Sequence, residues 1–163
     1  MGFIPYDYKN GHPDPWVYME TSAIGAIHVG TALVLSSGKL AKCTGTSQPD
    51  YISMYDGTVA SGDIIPVIKV TENTRFLTTF AAAATSIKVG DRVTIHTDGE
   101  QVTATTTSGV AEVSEMRGTA SGSEVIVFFP AAAALNQNQR KEKMNYAWYS
   151  YFHFEQTERY HFR

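Results

Sequence analysis

Residues 92–105 read RVTIHTDGEQVTAT, a pattern typical of a β-hairpin. Residues 92–96 alternate polar and apolar side chains, as the residues of a half-buried strand do. Asp98-Gly99 provides the two residue types that best tolerate the positive φ of a tight hairpin turn, and residues 100–105 return as the second strand. The stretch therefore predicts two antiparallel strands joined by a short turn.

The surroundings of this hairpin recur earlier in the chain. When the sequence is shifted by 60 residues, Ile27-His28-Val29-Gly30 falls on Ile87-Lys88-Val89-Gly90, and Ala60-Ser61-Gly62 falls on Ala120-Ser121-Gly122. Self-similarity at a fixed period is the signature of a duplicated structural unit. The alternative is that β proteins reuse V-G and S-G turns and that chance aligned them. At the same shift, Leu33 and Leu35 fall on Val93 and Ile95, and Ile65 and Val67 fall on Val125 and Val127. We interpret the matches as a duplication, because all four share one register.

Both copies have the pattern of short strands separated by turns at roughly ten-residue spacing, which indicates a sandwich or a small barrel. We therefore predict a mainly β fold, a small β-barrel or sandwich built from a duplicated unit of about 45 residues. The units span 23–70 and 83–129, and together they form a body over 23–129. Pro66 predicts an edge strand or a bulge in the first unit. A helix is predicted only for 131–144, which is rich in alanine and long polar side chains.

The aromatic residues are concentrated at the two ends of the chain. The chain has 9 Tyr, 8 Phe and 2 Trp, and the central region carries few of them. We predict that the aromatic residues of both ends form protein interfaces, because such rings are enriched at half-wet contacts. They are Phe3, Tyr6, Tyr8, Trp16 and Tyr18 near the start, and Tyr146, Trp148, Tyr149, Tyr151, Phe152, Phe154, Tyr160 and Phe162 near the end.

The two end segments are also distinct in their predicted structure. Residues 1–22 contain three prolines, which favour an extended N-terminal arm, and 130–163 predicts a helix followed by an aromatic C-terminal arm. Free tails are usually polar, so these ends are expected to pack on something. Either they fold back onto their own β body, or at least one of them reaches a neighbouring subunit.

Composition and motifs argue against catalysis. The single cysteine, Cys43, has no accompanying catalytic motif, and His12, His28, His96, His153 and His161 do not form a metal-ligand spacing. Phosphate-binding, dinucleotide-binding and nucleophile-elbow motifs do not occur. A net charge of −3 provides no basic field for nucleic acid, and no apolar run approaches the ~18 residues of a membrane span. We expect no enzyme activity, no cofactor, no metal, no nucleic-acid partner and no membrane partner.

Two stretches resemble the head decoration, or cement, proteins of tailed bacteriophages. They are Gly30-Thr31-Ala32-Leu33-Val34-Leu35-Ser36-Ser37-Gly38-Lys39-Leu40-Ala41-Lys42 and Tyr51-Ile52-Ser53-Met54-Tyr55-Asp56-Gly57-Thr58-Val59-Ala60-Ser61-Gly62-Asp63. The shared pattern is an apolar strand, a glycine turn, a Lys/Ala return and a G-x-V-x-x-G-D segment. The resemblance implies a small β protein on the outer capsid surface, often trimeric, that clamps neighbouring capsid subunits against internal DNA pressure.

We therefore expect a virion structural protein that is made in the host cytoplasm and stabilises a capsid. Its expected partners are the major capsid protein and other copies of itself, up to a trimer. Two alternatives remain open at the level of sequence. One is a carbohydrate-binding or receptor-binding β module, and the other is a component of a phage tail or baseplate.

Overall fold

The computed structural model describes residues 1–131, which contain twelve β-strands and no helix. The prediction of a mainly β fold is confirmed. The predicted helix over 131–144 and the aromatic C-terminal arm lie outside the described residues. The strands are β1 (Ile4–Tyr8), β2 (Trp16–Glu20), β3 (Gly25–Ile27), β4 (Ala32–Ser36), β5 (Lys39–Lys42), β6 (Tyr51–Ser53), β7 (Gly57–Val59), β8 (Ile64–Lys69), β9 (Thr74–Thr79), β10 (Arg92–Val93), β11 (Ala111–Met116) and β12 (Glu124–Phe128).

The strands form two five-stranded sheets and one two-stranded sheet. The repeat-one sheet has the order β2-β8-β6-β4-β5, and the repeat-two sheet has the order β1-β9-β12-β11-β10. The small sheet pairs β3 with β7. Among the described residues neither large sheet closes into a barrel, and their apolar faces share one core. The arrangement is therefore sandwich-like, and the predicted barrel alternative is wrong.

The core between the large sheets is built from alternate residues of their strands. Ile52 and Ile68 of the repeat-one sheet belong to the same buried cluster as Phe76, Val113 and Val127 of the repeat-two sheet. The intervening residues of the repeat-one sheet face the other way, because successive side chains of a strand point to opposite faces. That second face forms another cluster, whose buried members are Ile27, Leu33, Leu40, Val59, Ile65 and Val67, under the β3–β7 sheet.

The duplication is visible in the strand order. The run β8-β6-β4 in one sheet corresponds to β12-β11-β10 in the other, and the paired strands begin at Ala32 and Arg92, Tyr51 and Ala111, and Ile64 and Glu124, each pair 60 residues apart. The pairing registers of the equivalent strands agree as well. Ser53 pairs with Val67 in the first unit, and Val113 pairs with Val127 in the second.

The repeat begins earlier than the sequence indicates. β2 pairs with β8 as β9 pairs with β12, and the pair Val17–Val67 corresponds to Phe76–Val127. β2 is therefore the first strand of the first unit, and the predicted boundary at 22/23 does not divide the body. The predicted N-terminal arm is extended, but it contributes β1 to one sheet and β2 to the other.

The predicted hairpin over 92–105 forms only in part, because β10 ends at Val93 and pairs with β11, and the two halves of the stretch meet at an isolated bridge between Ile95 and Val102. The Asp98-Gly99 turn forms: Gly99 has φ 75°, and the Asp98 carboxylate accepts hydrogen bonds from the N–H groups of Glu100 and Gln101. Pro66 lies on β8, an inner strand between β2 and β6, so the predicted edge strand is wrong. The missing N–H is tolerated there, because Pro66 lies beyond the residues of β8 that pair with β6.

Among residues 1–131, no helix is long and apolar enough to cross a membrane.

Candidate interaction surface

A cluster of exposed apolar side chains lies on the outer strand of the repeat-one sheet. We call the group formed by Trp16, Tyr18 and Ile64 the β2 ledge; Val17 is also exposed, but it points to the opposite face of β2, the face on which its partner Val67 is buried. Trp16 is 61% exposed, Tyr18 is 70% exposed and Ile64 is 67% exposed. Large aromatic side chains are normally well buried in a folded domain. Their grouping on one strand and its neighbour therefore marks a candidate binding surface.

Strand alternation explains why these side chains are grouped. Trp16 and Tyr18 lie on the same face of β2, and Ile64 lies on that face of β8, because Ile64 pairs with Glu20. This is the face that also carries Ile68, which is buried in the core between the sheets. The ledge is thus the part of this core-forming face that the repeat-two sheet does not cover.

The loop that leads into β2 is held by specific hydrogen bonds. The hydroxyls of Thr71 and Thr74 both donate to one carboxylate oxygen of Asp14, at 3.0 and 2.6 Å. The backbone N–H of Lys9 donates to the carbonyl of Asn73 at 2.7 Å. The connection from β1 to β2 is therefore fixed to the body at both of its ends, and the ledge has a defined position.

The outer edge of β2 presents unpaired backbone groups. Pro66, which pairs with Tyr18, has no N–H, and its carbonyl accepts a hydrogen bond from Met54 on the β6 side at 3.0 Å. Tyr18 therefore directs its own N–H and C=O away from β8. Trp16 does the same, because it lies two residues earlier on the same strand. Within the described part of the chain, no backbone group pairs with either residue on that side.

The five predicted N-terminal interface residues have different environments. Phe3 is fully buried, and its ring packs edge-to-face against Phe129 with centroids 5.5 Å apart, so its assignment to an interface is wrong. Tyr8 is half-buried, and burial followed by the charge of Asp14 raises the pKa of its hydroxyl. Trp16 and Tyr18 lie together on the ledge.

Tyr6 is the remaining member of this group, and it is 43% exposed. Its hydroxyl accepts a hydrogen bond from the Arg117 guanidinium at 3.1 Å, and the Arg75 guanidinium lies 5.9 Å from its ring centroid. Arg75 also holds Asp7, and hydrogen bonding to that guanidinium is the main reason why the pKa of Asp7 lies below its ordinary value. Tyr6 is therefore engaged in contacts within the body.

The eight predicted C-terminal interface residues lie outside the described residues. They are Tyr146, Trp148, Tyr149, Tyr151, Phe152, Phe154, Tyr160 and Phe162. Their interface role stays a prediction from sequence.

Prediction from the sequence missed Ile64 of the ledge and the exposed Val17 beside it. A signal for Ile64 was present, because Ile64-Ile65 is an adjacent apolar pair in a strand and one of the two must face away from a given core. Val17 gave no such signal, since a single valine between two aromatic residues is ordinary in a buried strand.

In residues 1–131, no group of three or more His, Cys, Asp or Glu residues is placed to hold a metal ion, and several ionisable groups form ion pairs. His28 Nδ1 lies 2.8 Å from Asp56, and Lys39 lies 2.6 Å from Glu20. The Cys43 thiol donates to the carbonyl of Ser47, and burial raises its pKa to about 12, with a further contribution from Asp50. A thiol with such a pKa stays protonated at neutral pH and is a poor nucleophile.

The chain matches no protein-family model and no curated protein sequence. Among solved structures it is similar to the crystal structure of the head fiber gp8.5 N base in bacteriophage phi29. The identity is 19%, the TM-score is 0.49, and the alignment covers 71% of this chain and 94% of that chain. A similarity of this size is too low to indicate what this chain does.

Proposed function

We propose that this chain is a structural protein of a tailed-phage virion that decorates the outer surface of the head and stabilises it by binding neighbouring capsid subunits. The observation that carries the proposal is the β2 ledge, an exposed aromatic surface held on a hydrogen-bonded β body. The sequence resemblance of residues 30–42 and 51–63 to head decoration proteins supplies the class of assembly.

Exposed apolar area favours association by roughly 25 cal/mol for each Å² removed from water. A ledge with two aromatic side chains on a fixed strand loses little conformational entropy when it binds, because the strand is already ordered. Binding free energy from such a contact can hold adjacent subunits together without any chemical step.

A test uses particles that lack this chain, to which the purified full-length protein is added. We expect the chain to bind them and to raise the temperature at which they release DNA. The double variant Trp16→Lys/Tyr18→Lys should bind about 100-fold more weakly, because two interface aromatics that each contribute about 1.4 kcal/mol are replaced by charges.

The matched control is Val29→Lys/Val89→Lys, which also adds two charges at exposed apolar positions, 40% and 63% exposed, outside the ledge. This variant should bind particles like the unmodified protein. If the unmodified protein does not bind particles, the proposed function is wrong. If the ledge variant binds as well as the control, the ledge is not the contact.

The exposed pair Trp16 and Tyr18 also suits the second candidate, a carbohydrate-binding or receptor-binding module. Aromatic rings on one face of a strand can stack on the apolar face of a sugar ring. Glycan-array binding that is lost in Trp16→Ala, by a protein that does not bind particles, would favour this candidate. The tail or baseplate alternative differs only in location, and electron cryo-microscopy of the native particle separates it from a head protein.

A further inference from the structure

The duplication shows what is missing at the edge of β2. β2 and β9 are equivalent strands, each paired on its inner side with β8 or β12. The outer side of β9 is covered by β1, which runs antiparallel to it. The outer side of β2 has no equivalent of β1 at Trp16–Tyr18 among the described residues, and β5 reaches only its C-terminal end, where Thr21 forms a bridge with Leu40 and the N–H of Ser22 donates to the Leu40 carbonyl at 2.8 Å. Within residues 1–131, one of the two equivalent edges is therefore completed by another strand, and the other is open along Trp16–Tyr18.

β2 also lacks the features that protect the other outer strands. β1 carries Pro5 and a register shift between Pro5 and Asp7, β10 has two residues, and β5 begins and ends with a lysine. Proline, bulges, short length and lysine all discourage pairing between sheet edges. β2 has five residues in unbroken register with β8, and its sequence is WVYME. Its edge is the one best suited to accept another strand.

We propose that β2 of a second copy of this chain pairs antiparallel with β2, around a twofold axis at Val17. In this register Trp16 lies opposite Tyr18 of the partner subunit, and Val17 lies opposite Val17 of the partner subunit. The inference deepens the self-association part of the proposed function and rests on it.

The register follows from the backbone directions. Trp16 and Tyr18 direct their N–H and C=O groups outward, so each Trp16–Tyr18 pair exchanges two hydrogen bonds across the axis. Val17 directs its backbone groups toward β8 and forms a close, non-hydrogen-bonded pair with its symmetry mate. Two such aromatic pairs lie on one face, and cross-strand aromatic pairs stabilise antiparallel strands.

The edge is complementary to itself, which favours a second copy over a foreign strand. The same three residues contribute from both sides of the axis, with Trp16 against Tyr18 on each side and Val17 against its symmetry mate, as a twofold contact requires. The only charged residue of β2 is Glu20, which lies outside the paired residues and is neutralised by Lys39 at 2.6 Å. The register also brings Glu20 beside Asp14 of the partner subunit. Both carboxylates are engaged within their own subunit, Glu20 by Lys39 and Asp14 by the hydroxyls of Thr71 and Thr74, which lessens the repulsion between them.

The ledge is small, which sets the strength of the contact. The exposed parts of two Trp and two Tyr side chains amount to roughly 700 Å², below the ~1,200 Å² of stable interfaces. We expect a weak dimer whose population rises with protein concentration. On a capsid, where many copies share one surface, the effective concentration is high and the contact becomes significant.

Disulfide trapping of Val17→Cys tests the register directly. The Cα atoms of a non-hydrogen-bonded antiparallel pair lie about 4.5 Å apart, which a disulfide can span. The native Cys43 is buried and does not compete. In purified full-length protein without capsids, mild oxidation should form the Val17→Cys dimer at least 10-fold faster than the dimer of Val89→Cys, an exposed control outside the edge.

Adding Trp16→Lys/Tyr18→Lys to the Val17→Cys variant should abolish the fast reaction. Sedimentation of the unmodified chain should show a dimer that increases with concentration. A Val17→Cys rate no greater than that of Val89→Cys overturns the inference, and so does a trimer that forms without this cross-link. If the cross-link fails but particle binding still requires Trp16 and Tyr18, a capsid subunit occupies the edge. A dimer without particle binding instead contradicts the proposed function.

Discussion

Phe3→Ala should lower the free energy of unfolding by about 3–5 kcal/mol, the usual cost of truncating a fully buried phenylalanine. Phe3 has no exposed surface, and its ring packs against Phe129. Its backbone N–H donates to the carbonyl of Gly30 at 2.8 Å, which fixes the N-terminal residues to the first repeat. Small domains are stable by roughly 5–15 kcal/mol, so this change removes a large part of the total.

The matched comparison is Trp16→Ala, which removes an even larger ring from the same N-terminal segment. Trp16 is 61% exposed, so we expect a change within about 0.5 kcal/mol. Urea denaturation followed by circular dichroism, at a concentration low enough to keep the protein monomeric, measures both values. Equal effects of the two substitutions would contradict the assignment of Phe3 to the core and Trp16 to the surface.

This pair of residues shows where prediction from sequence reached its limit. The aromatic composition correctly indicated that the N-terminal segment packs against something, but it treated Phe3 and Trp16 alike. Their fates differ because β1 and β2 join different sheets, and pairing between strands distant in sequence decides which face of each strand is covered. No local pattern in residues 1–22 contains that information.

The duplication was predictable from the sequence because its strands keep the same apolar positions and the same glycine turns. Its first strand was not predictable, since WVYME in β2 and TRFLTT in β9 share little. The difference has a physical cause. β9 is covered by β1 on its outer edge and contributes Phe76 to the core, whereas Trp16–Tyr18 of β2 have no neighbouring strand on that edge among the described residues. Because the two equivalent strands lie in different environments, different side chains suit each of them, and the sequence similarity between them is lost.

Gly30→Ala should destabilise the fold by about 2 kcal/mol more than Gly90→Ala, although the two glycines occupy equivalent positions in the repeat. Gly30 has φ 93° and Gly90 has φ 92°, and a side chain in such a left-handed conformation costs about 1–2 kcal/mol at either site. Their N–H groups donate to equivalent carbonyls, Ser53 and Val113, each at 2.8 Å. The backbone contribution is therefore matched.

The sites differ in what lies beside them. A Cβ on Gly30 would lie 2.6 Å from the backbone nitrogen of Phe3, whereas a Cβ on Gly90 meets nothing within 4 Å. Relieving such an overlap with backbone atoms has a typical cost of 1–3 kcal/mol. Gly2→Ala isolates this contribution, because its Cβ would lie 2.7 Å from Gly30 Cα.

Thermal and urea unfolding measure the stability of the three glycine variants. Gly30→Ala should have the lowest stability, and Gly2→Ala should show a substantial loss, since both remove the close approach of the N-terminal residues to the first repeat. If Gly30→Ala and Gly90→Ala are equally destabilised, the N-terminal residues do not pack where the structure places them.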